Sequence, residues 1–426
     1  MECDILVVGS GVLGLSSAYH LKLRNPDSRV VVIDRSSGPG QGNSAKSEGG
    51  LRNVFTSEAN YLLTDSTIDW FSHLEKDLGY DVKLHYIGYL WLYSERQYNG
   101  LKSTLEAIQK WGAELRTYEK EGLKRMVPHL VTDLEGDEEA ELLDIESIHK
   151  GVLGVKCGCI DTDALVRSYE AEFLKLGGEL MYSTDAKKLI LRPEEELGIP
   201  GEPFVWQESR ISGAETSRGE IRADTTVLAT GVWSETLLDP LGIDALMRAK
   251  KRQIFVFKDS RLGGLLEVEG FNKYSVMPLT ILPKAGILFR PEVTEGSIWL
   301  ACADELGRGY GLEEDPQPEA NYYTDEIYHV LVKYFPCFRD IRPANMWAGQ
   351  YAVNGYDGMP VITPVPGMIY TGAASGSGIM KCDALGRIVA SLYAGEEKAE
   401  LYGGQSFNVS SLGVEDRNVE REKFII

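Results

Sequence analysis

The sequence has no apolar run near the roughly 18 residues that a membrane-spanning helix requires. Its 6 cysteines are scattered without CxxC spacing. Cys157 and Cys159 form a CxC with no matching histidine pair, so zinc is disfavoured and we predict no metal site. The acidic start, Met-Glu-Cys-Asp, lacks the basic residues of a secretory signal. We therefore expect a cytoplasmic location.

Positive charge is also scarce, with 44 Lys and Arg against 64 Asp and Glu, giving a formal net charge of -20. Nucleic acid binding needs a basic surface, so we expect no nucleic acid partner. Small anions remain compatible, because one helix N-terminus or one arginine can bind them locally. At 426 residues the chain is long enough for two domains.

The first forty residues contain a strand, a glycine loop, a helix and a second strand. The apolar run 4–8 predicts a buried parallel strand, and Gly9-Ser-Gly11-Val-Leu-Gly14 opens the helix behind it. Gly9 permits the tight turn, Gly11 lets the backbone approach a pyrophosphate, and Gly14 lets helix and strand pack closely. The helix N-terminus then offers N–H groups to the phosphates.

The second strand, 29–33, ends at Asp34, which lies 20 residues after Gly14. A carboxylate there can accept hydrogen bonds from both ribose hydroxyls and disfavours a 2′-phosphate. This pattern predicts a dinucleotide of the FAD or NAD type rather than NADP.

Three further stretches favour FAD over NAD. Residues 43–52 form a small, polar, glycine-rich segment that can lie against a wide ring system, and 223–233 form a strand ending in Ala-Thr-Gly. Residues 372–378 repeat the order of strand, glycine loop and helix. An NAD-dependent dehydrogenase explains the first forty residues but gives the last two stretches no task.

These segments resemble the FAD-dependent amine and amino-acid oxidoreductases typified by D-amino-acid, glycine and sarcosine oxidases. The resemblance covers nearly the whole chain and includes Ser-x-x-Ser-x-Gly-Gly-x-Arg ending at Arg52, as well as 87–92, 158–161, 289–292 and 357–362. The segment 375–381, Ser-Gly-Ser-Gly-Ile-Met-Lys, is most similar to the archaeal dye-linked L-proline dehydrogenases.

The expected fold is α/β, with a Rossmann-like FAD-binding domain of the glutathione-reductase type. A second, α+β substrate domain is expected on a mixed or antiparallel sheet. The predicted FAD-binding segments are 1–86, 151–240 and 345–426, and the substrate segments are 87–150 and 241–344. Predicted substrate-domain strands are 86–93, 253–258, 274–277, 287–290 and 298–301, and predicted helices are 58–78, 98–112, 162–176 and 322–336. Residues 192–222 are predicted to be an exposed meander.

We predict non-covalent FAD, because the loop 41–52 contains neither the histidine nor the cysteine through which several family members attach flavin. The predicted cofactor-binding residues come from five stretches of the chain: Gly9, Gly11, Val12, Leu13, Gly14; Asp34, Arg35; Ser44, Ser47, Gly49, Gly50, Leu51, Arg52; Ala186, Thr230, Gly231, Trp233; and Gly376, Ser377, Gly378, Ile379, Met380, Lys381.

The resemblance implies hydride transfer from the amine carbon of an amino acid to flavin N5. An arginine should clamp the substrate carboxylate, and Arg52 and Arg290 are the candidates. A structural salt bridge is the alternative for Arg52, and an exposed strand end is the alternative for Arg290. Tyr274 and Tyr351 could donate phenolic hydrogen bonds, with core packing as the alternative for both.

Three positions depart from the family pattern. Phe55 stands where sarcosine-type oxidases carry a second arginine, and Tyr351 stands where glycine-oxidase-like members carry one. Met380 occupies the usual lysine position, and Lys381 follows it. The carboxylate-binding residue therefore stays open between Arg52 and Arg290.

The leading hypothesis is an L-proline dehydrogenase that passes electrons to a quinone or dye. Contact with the acceptor would bring it to the inner face of the membrane. One alternative is a sarcosine, glycine or D-amino-acid oxidase that uses O2. Another is a non-catalytic flavoprotein subunit, since several relatives work in hetero-oligomers. The sequence leaves homo- and hetero-oligomers open.

Overall fold

Two large sheets form the frame of the protein. The computed structural model describes residues 1–127, 129–284, 286–303 and 308–423. In chain order its strands are β1 (Glu2–Val8), β2 (Val30–Ile33), β3 (Gly50–Leu51), β4 (Tyr89–Tyr93), β5 (Leu115–Glu119), β6 (Lys150–Gly154), β7 (Gly158–Cys159), β8 (Glu179–Met181), β9 (Ala186–Pro193), β10 (Ser209–Thr216), β11 (Gly219–Leu228), β12 (Arg248–Phe257), β13 (Leu279–Ile281), β14 (Ile287–Glu292), β15 (Ser297–Cys302), β16 (Asn345–Val353), β17 (Val361–Val365), β18 (Met368–Gly372), β19 (Lys398–Glu400) and β20 (Ser406–Asn408).

In chain order the α-helices are α1 (Val12–Arg24), α2 (Glu58–Lys76), α3 (Glu95–Trp111), α4 (Lys120–Met126), α5 (Glu138–Leu142), α6 (Thr162–Lys175), α7 (Ser234–Leu238), α8 (Tyr328–Tyr334) and α9 (Cys382–Tyr393). The helices α2, α3 and α6 lie within a few residues of the predicted ranges 58–78, 98–112 and 162–176, whereas the short helices α4, α5 and α7 were not predicted. The helix predicted over 322–336 starts as a π-helical segment, Tyr322–Ile327, before α8. Among the described residues, no helix combines the length and apolarity needed to cross a bilayer.

The first sheet has the order β17-β18-β11-β1-β2-β8. Strands β18, β11, β1, β2 and β8 are parallel, and β17 is an antiparallel edge. Helices α1, α6 and α9 pack together on one face of this sheet over one apolar core. Because the main strands are parallel, their carboxyl ends meet at one edge, where ligands bind in folds of this kind.

The second sheet has the order β16-β12-β15-β14-β13-β4-β6-β5 and is mixed, because β13 and β4 are its parallel pair. Together the two sheets confirm the predicted fold class. Strands β6 and β16 hydrogen bond in this second sheet, although the predicted boundaries 151–240 and 345–426 put their residues in the FAD-binding domain. The division into domains stays a proposal, and we now propose that both strands belong to the substrate domain.

One local prediction was wrong, and another describes only part of its segment. Residues 274–277 form a turn rather than a strand, because the Asn272 side chain accepts from the Tyr274 and Val276 amides and donates to the Val276 carbonyl. Residues 192–222 form more regular structure than an exposed irregular segment, since they include β10 and parts of β9 and β11, which pair as antiparallel neighbours. Only the turn residues between β9 and β10 resemble the predicted exposed loop.

Candidate functional site

A cavity of about 660 Å³ opens at the carboxyl edge of the first sheet. Its size is in the range of cofactor sites. The loops that follow β1, β2, β11 and β18 all contribute to its wall. Of the predicted cofactor-binding residues, those lining it are Gly9, Gly11, Val12, Leu13, Asp34, Arg35, Ser44, Ser47, Ala186, Thr230, Gly231, Trp233, Gly376, Gly378 and Ile379.

The glycine loop after β1 tolerates no side chain at two of its positions. Gly9 has φ +106°, and a Cβ there would lie 2.5 Å from the Ala229 carbonyl oxygen. A Cβ on Gly14 would lie 1.9 Å from the Gly9 carbonyl oxygen. The close contact of α1 with the loop therefore depends on glycine, as the sequence predicted for a tight turn and close packing.

The N-terminus of α1 faces this cavity and suits a phosphate group. The helix has no side-chain cap from Gly11 and no acidic residue in its first turn. The Ser44 hydroxyl accepts from the Val12 amide at 3.1 Å. Amide groups of a first helical turn lack intrahelical acceptors and favour anions, so these residues fit the pyrophosphate of a dinucleotide.

Asp34 is fixed at the end of β2 by the neighbouring backbone. One carboxylate oxygen accepts from the Ser10 amide at 2.7 Å and the Ser10 hydroxyl at 2.9 Å. The other oxygen accepts from the Ser36 amide at 2.8 Å. Because a carboxylate has about four acceptor positions, about one remains for a ribose hydroxyl rather than the two expected from sequence.

At the outer rim of the cavity, residues that follow β2 and β11 of the first sheet contact residues 314–315. Arg35 forms an ion pair with Glu314 and lies 4.4 Å from the centre of the Trp233 ring. The Trp233 indole donates to Glu314 at 3.0 Å, and Asp315 lies 3.5 Å from the Lys46 ammonium. Residues 314–315 therefore cover part of the cofactor cavity through contacts between charged side chains.

The loop 43–52 is braced by the second sheet. The Trp347 indole donates to the Lys46 carbonyl at 3.0 Å, and the backbone amide of Gln350 donates to the Asn43 side-chain oxygen at 2.9 Å. The Arg290 Nε donates to the Glu48 carbonyl at 2.9 Å. This loop forms the boundary between the large cavity and a smaller one.

Arg290 does not line either cavity, so the prediction that it clamps a substrate carboxylate is not supported. Its Nη1 donates to the Pro291 carbonyl and, at 2.7 Å, to the Glu292 carboxylate, and its guanidinium lies 4.2 Å from the Trp299 ring. The side chain of Arg290 on β14 is buried, so it does not lie at an exposed strand end either. Arg290 is therefore a residue that positions the loop.

The smaller cavity, of about 50 Å³, shares part of its wall with the large one. We call it the second cavity. The predicted residues that line it are Ser47, Gly50, Arg52, Tyr351, Gly376, Ser377, Met380 and Lys381. The second cavity therefore adjoins the cavity in which folds of this kind bind a cofactor, and a small molecule in it would lie next to that cofactor.

Two buried cations of the second cavity contact one aromatic ring. The Arg52 guanidinium lies 3.9 Å from the Phe55 ring centre, and the Lys381 ammonium lies 4.9 Å from it. Arg52 Nη1 donates to the Val54 carbonyl at 2.5 Å, and Lys381 donates to the Ser377 hydroxyl at 2.7 Å. Phe55, at the position of the missing second arginine, thus contributes cation–π contacts to both charges.

Burial changes the proton affinity of these cations. It lowers the pKa of Lys381 to about 7, with Glu422 opposing the fall and Arg52 adding to it. Burial also lowers the pKa of Arg52, again opposed by Glu422. Lys381 can therefore gain or lose its proton near neutral pH.

Two tyrosines and a glutamate lie near these cations. Tyr351 lines both cavities, and burial raises its pKa to about 12. Tyr89 lines the second cavity, and burial raises its pKa further above the ordinary value. Glu48 lines both cavities. Sequence reasoning missed Glu48 and Tyr89, although both lie inside motifs used for the resemblance.

The chain's last described segment contributes Glu422 to the wall of the second cavity, and we call residues 414–423 the strap. The Glu422 carboxylate, which is buried, accepts from the Thr56 amide at 3.0 Å and its hydroxyl at 2.8 Å. It also accepts from Ser57 at 3.3 Å and Asn60 at 2.8 Å. Glu422 lines the second cavity, and nothing in the local sequence indicated it.

Arg417 fixes the start of the strap. Its Nε lies 2.6 Å from one oxygen of Asp357 and its Nη2 lies 2.8 Å from the other. This bidentate pair is largely buried and has the geometry of strong arginine–carboxylate contacts.

The remaining predicted residues lie elsewhere. Tyr274 packs against His85, with ring centres 4.9 Å apart, and lines neither cavity. A direct role for Tyr274 in substrate binding is therefore not supported. Gly14, Gly49 and Leu51 also line neither cavity. Gly14 lies behind the cavity wall, and Gly49 and Leu51 belong to the braced loop.

The family model of FAD dependent oxidoreductases, DAO, matches residues 4–392. The chain belongs to the DAO family of FAD-dependent oxidoreductases. This confirms the predicted family, the FAD cofactor and the oxidoreductase class.

The similar proteins match over more than nine-tenths of this chain. Glycine oxidase of Pseudomonas aeruginosa is 26% identical over 93% of this chain and 96% of its own. FAD-dependent oxidoreductase domain-containing protein 1 of Xenopus laevis is 23% identical over 92% of this chain and 79% of its own. The crystal structure of L-proline dehydrogenase from P. horikoshii has a TM-score of 0.74 at 22% identity, covering 94% of this chain and 96% of that one.

Proposed function

We propose that this DAO-family protein oxidises the amine carbon of a small amino acid and passes the electrons to a quinone or dye. L-proline is the first substrate to test, because 375–381 resembles the dye-linked L-proline dehydrogenases and a solved L-proline dehydrogenase shares the fold. The observation that carries the proposal is the second cavity, which adjoins the cofactor cavity and contains two buried cations.

The cations match the carboxylate of an amino acid. Arg52 and Lys381 both line the second cavity and are both buried. In such a site a charge-assisted hydrogen bond is shorter and stronger than a neutral one. The small volume favours a compact side chain, and the adjacent large cavity would hold the flavin close to the α-carbon.

FAD, when bound, supplies an acceptor for a hydride at N5. The chain's residues bind, orient and desolvate the substrate. Arg52 and Lys381 would hold the carboxylate, which fixes the α-carbon and lowers the entropic cost of reaching the reactive geometry. Phe55 and the strap would limit the access of water to the second cavity. The imine that leaves the site is then hydrolysed in water.

Anaerobic titration of the purified flavoprotein with a panel of amino acids tests the proposal. We expect L-proline to reduce the flavin absorbance, and we expect Arg52→Gln to keep its flavin but require at least tenfold more substrate. Reduction by sarcosine, glycine or D-amino acids without reduction by L-proline would reject proline. Reduction by no amine would favour a flavoprotein subunit without its own activity.

An oxidase is the second candidate, because glycine oxidase is among the similar proteins. The two functions differ in the electron acceptor. Rapid reoxidation by air with release of hydrogen peroxide would favour the oxidase, whereas slow reoxidation and fast dye reduction would favour the dehydrogenase. A quinone acceptor would imply contact with the inner face of the membrane.

A further inference from the structure

Glu48 stands where the cofactor cavity meets the second cavity and lines both. Its Oε2 is buried and has no hydrogen-bond partner among the described residues. Buried polar atoms are normally paired, and an unpaired one costs free energy. An orphaned carboxyl oxygen at the junction of two cavities therefore points to a ligand that supplies the missing contact.

The groups around Glu48 come from several elements. The Arg290 Nε holds its backbone carbonyl at 2.9 Å. Burial raises the pKa of the Glu48 carboxyl, and the Arg290 charge opposes that rise. The other titratable side chains that sense its charge are Tyr89 on β4, Tyr351 on β16 and Cys159 on β7. Of these four side chains, only Arg290 carries a charge at neutral pH.

We infer that Glu48 binds the amine of the substrate and accepts a proton from it before the hydride leaves the α-carbon. The inference rests on the proposed function. An amino acid carries a carboxylate and an ammonium, and the second cavity has both counterparts. Arg52 and Lys381 match the carboxylate, and Glu48 matches the ammonium. Glu422 lines only the second cavity and accepts from Thr56, Ser57 and Asn60.

The proposed step balances as a proton transfer. An N–H bond of the ammonium breaks, and an O–H bond forms on the Glu48 carboxylate, with no change in oxidation state. The neutral amine can then donate its lone pair as the α-carbon loses a hydride, with two electrons, to the flavin. An acid whose pKa is raised toward that of the amine is a better acceptor for this proton.

The kinetic test compares Glu48→Gln with wild type and with Glu58→Gln, the same change at an exposed position. We expect anaerobic flavin reduction by the amino acid to slow at least 100-fold at neutral pH in Glu48→Gln and to be unchanged in Glu58→Gln. Wild-type activity should fall as pH drops through a pKa above that of an ordinary glutamate. In Glu48→Gln the rate should instead rise steadily with pH, because only the neutral amine can react.

A binding test needs no turnover. 2-Aminoisobutyrate has no α-hydrogen to lose, and isobutyrate lacks only its amine, so their affinities can be compared by perturbation of the flavin spectrum. Wild type should prefer 2-aminoisobutyrate at least tenfold, and lose the preference at low pH as Glu48 becomes protonated. Glu48→Gln should show no preference. The pH series uses wild type alone, so it remains decisive should the variant fail to retain flavin.

The possible results separate failure of the amine site from failure of the proposed function. A preference that survives in Glu48→Gln, or its absence from wild type at every pH, would overturn the amine site. Identical pH profiles for wild type and Glu48→Gln would also overturn it. A wild-type preference without flavin reduction by any amino acid would reject the proposed function while keeping the amine site.

Discussion

The two adjoining cavities are built in different ways. The cofactor cavity lies at the ends of parallel strands, where glycine-containing loops contribute to its wall and charged side chains such as Arg35 and Glu314 lie at its rim. The second cavity is built from ionisable side chains contributed by distant parts of the chain: Glu48, Arg52, Tyr89, Tyr351, Lys381 and Glu422. Where a pyrophosphate would bind, the cofactor cavity depends on the geometry of the main chain, whereas the second cavity depends on buried ionisable side chains.

This difference has energetic consequences. Amide groups at a helix N-terminus bind an anion without any buried charge in the free protein. Buried charges lose hydration, so the second cavity destabilises the fold unless its charges are paired. We therefore expect changes in the cofactor cavity to act on FAD retention, and changes in the second cavity to act on stability, pH dependence and substrate binding.

The largest effect should follow from Gly14→Ala. Its Cβ would lie 1.9 Å from the Gly9 carbonyl oxygen, so α1 must move away from the loop that faces the cofactor. We expect FAD affinity to fall at least 100-fold, measured as the flavin content of the purified protein and by titration of the apoprotein.

Gly100→Ala is the matched control. A Cβ at Gly100 meets no atom within 4 Å, and alanine favours a helix by about 1 kcal/mol over glycine. Full flavin content in Gly14→Ala would show that the loop does not depend on glycine at this position.

Lys381→Met should produce the next largest effect. Unlike Gly14→Ala, which impairs the protein, this change should stabilise the fold. The folded-state pKa is about 7, against an ordinary value of 10.5. Between these values the unfolded chain binds more protons, so wild-type stability rises with pH through this window. Methionine removes the cost of the buried charge, which is fully present below pH 7.

We expect Lys381→Met apoprotein to be more stable than wild type by about 2 kcal/mol or more at pH 6, with a smaller gain at pH 9. Urea unfolding at both values measures the difference, and exposed Lys398→Met serves as the control. A gain that does not depend on pH would contradict a buried, displaced titration. The same variant should bind substrate more weakly.

Glu422→Gln should have an intermediate effect. Glu422 accepts hydrogen bonds from Thr56, Ser57 and Asn60, and the loss of the charge weakens several of them. We expect the free energy of unfolding to fall by about 1–3 kcal/mol, and hydrogen exchange in the strap to become faster. Glu420→Gln, an exposed neighbour in the strap, should change stability by less than about 0.5 kcal/mol. Equal free energies of unfolding for the two variants would show that Glu422 does not anchor the strap.

The contrast between the cavities also explains what the sequence could predict. The fold class, the family and the cofactor were predictable because strand, glycine loop, helix and Asp34 are consecutive and their spacing has a physical meaning. The second cavity depends on pairs that are remote in sequence. Arg290 meets Glu48 across 242 positions, and Glu422 meets Thr56 across 366. No local pattern identifies such contacts.

The wrong strand prediction and the role of Arg290 that the structure does not support have the same origin. Arg290 was a reasonable carboxylate clamp by residue type, but its direction depends on how β14 packs against the loop 43–52. The segment 274–277, Tyr-Ser-Val-Met, has the composition of a strand, yet the Asn272 side chain provides hydrogen bonds that a neighbouring strand would otherwise supply. Side-chain hydrogen bonds of asparagine often compete with secondary structure in this way.

The smallest effect should come from Glu314→Gln at the rim of the cofactor cavity. The variant loses the ion pair with Arg35, whereas glutamine can still accept from the Trp233 indole. Because both charges are partly exposed, the pair contributes about 0–1 kcal/mol. We expect FAD to dissociate up to about fivefold faster at low ionic strength, measured by transfer of flavin to an excess of a competing apoflavoprotein. High salt screens exposed charges, so the rates of wild type and variant should converge there. A difference that persists at high salt would mean that Glu314 acts through its shape or its hydrogen bond, and the rim would then resemble the rest of the cofactor cavity instead of the charged second cavity.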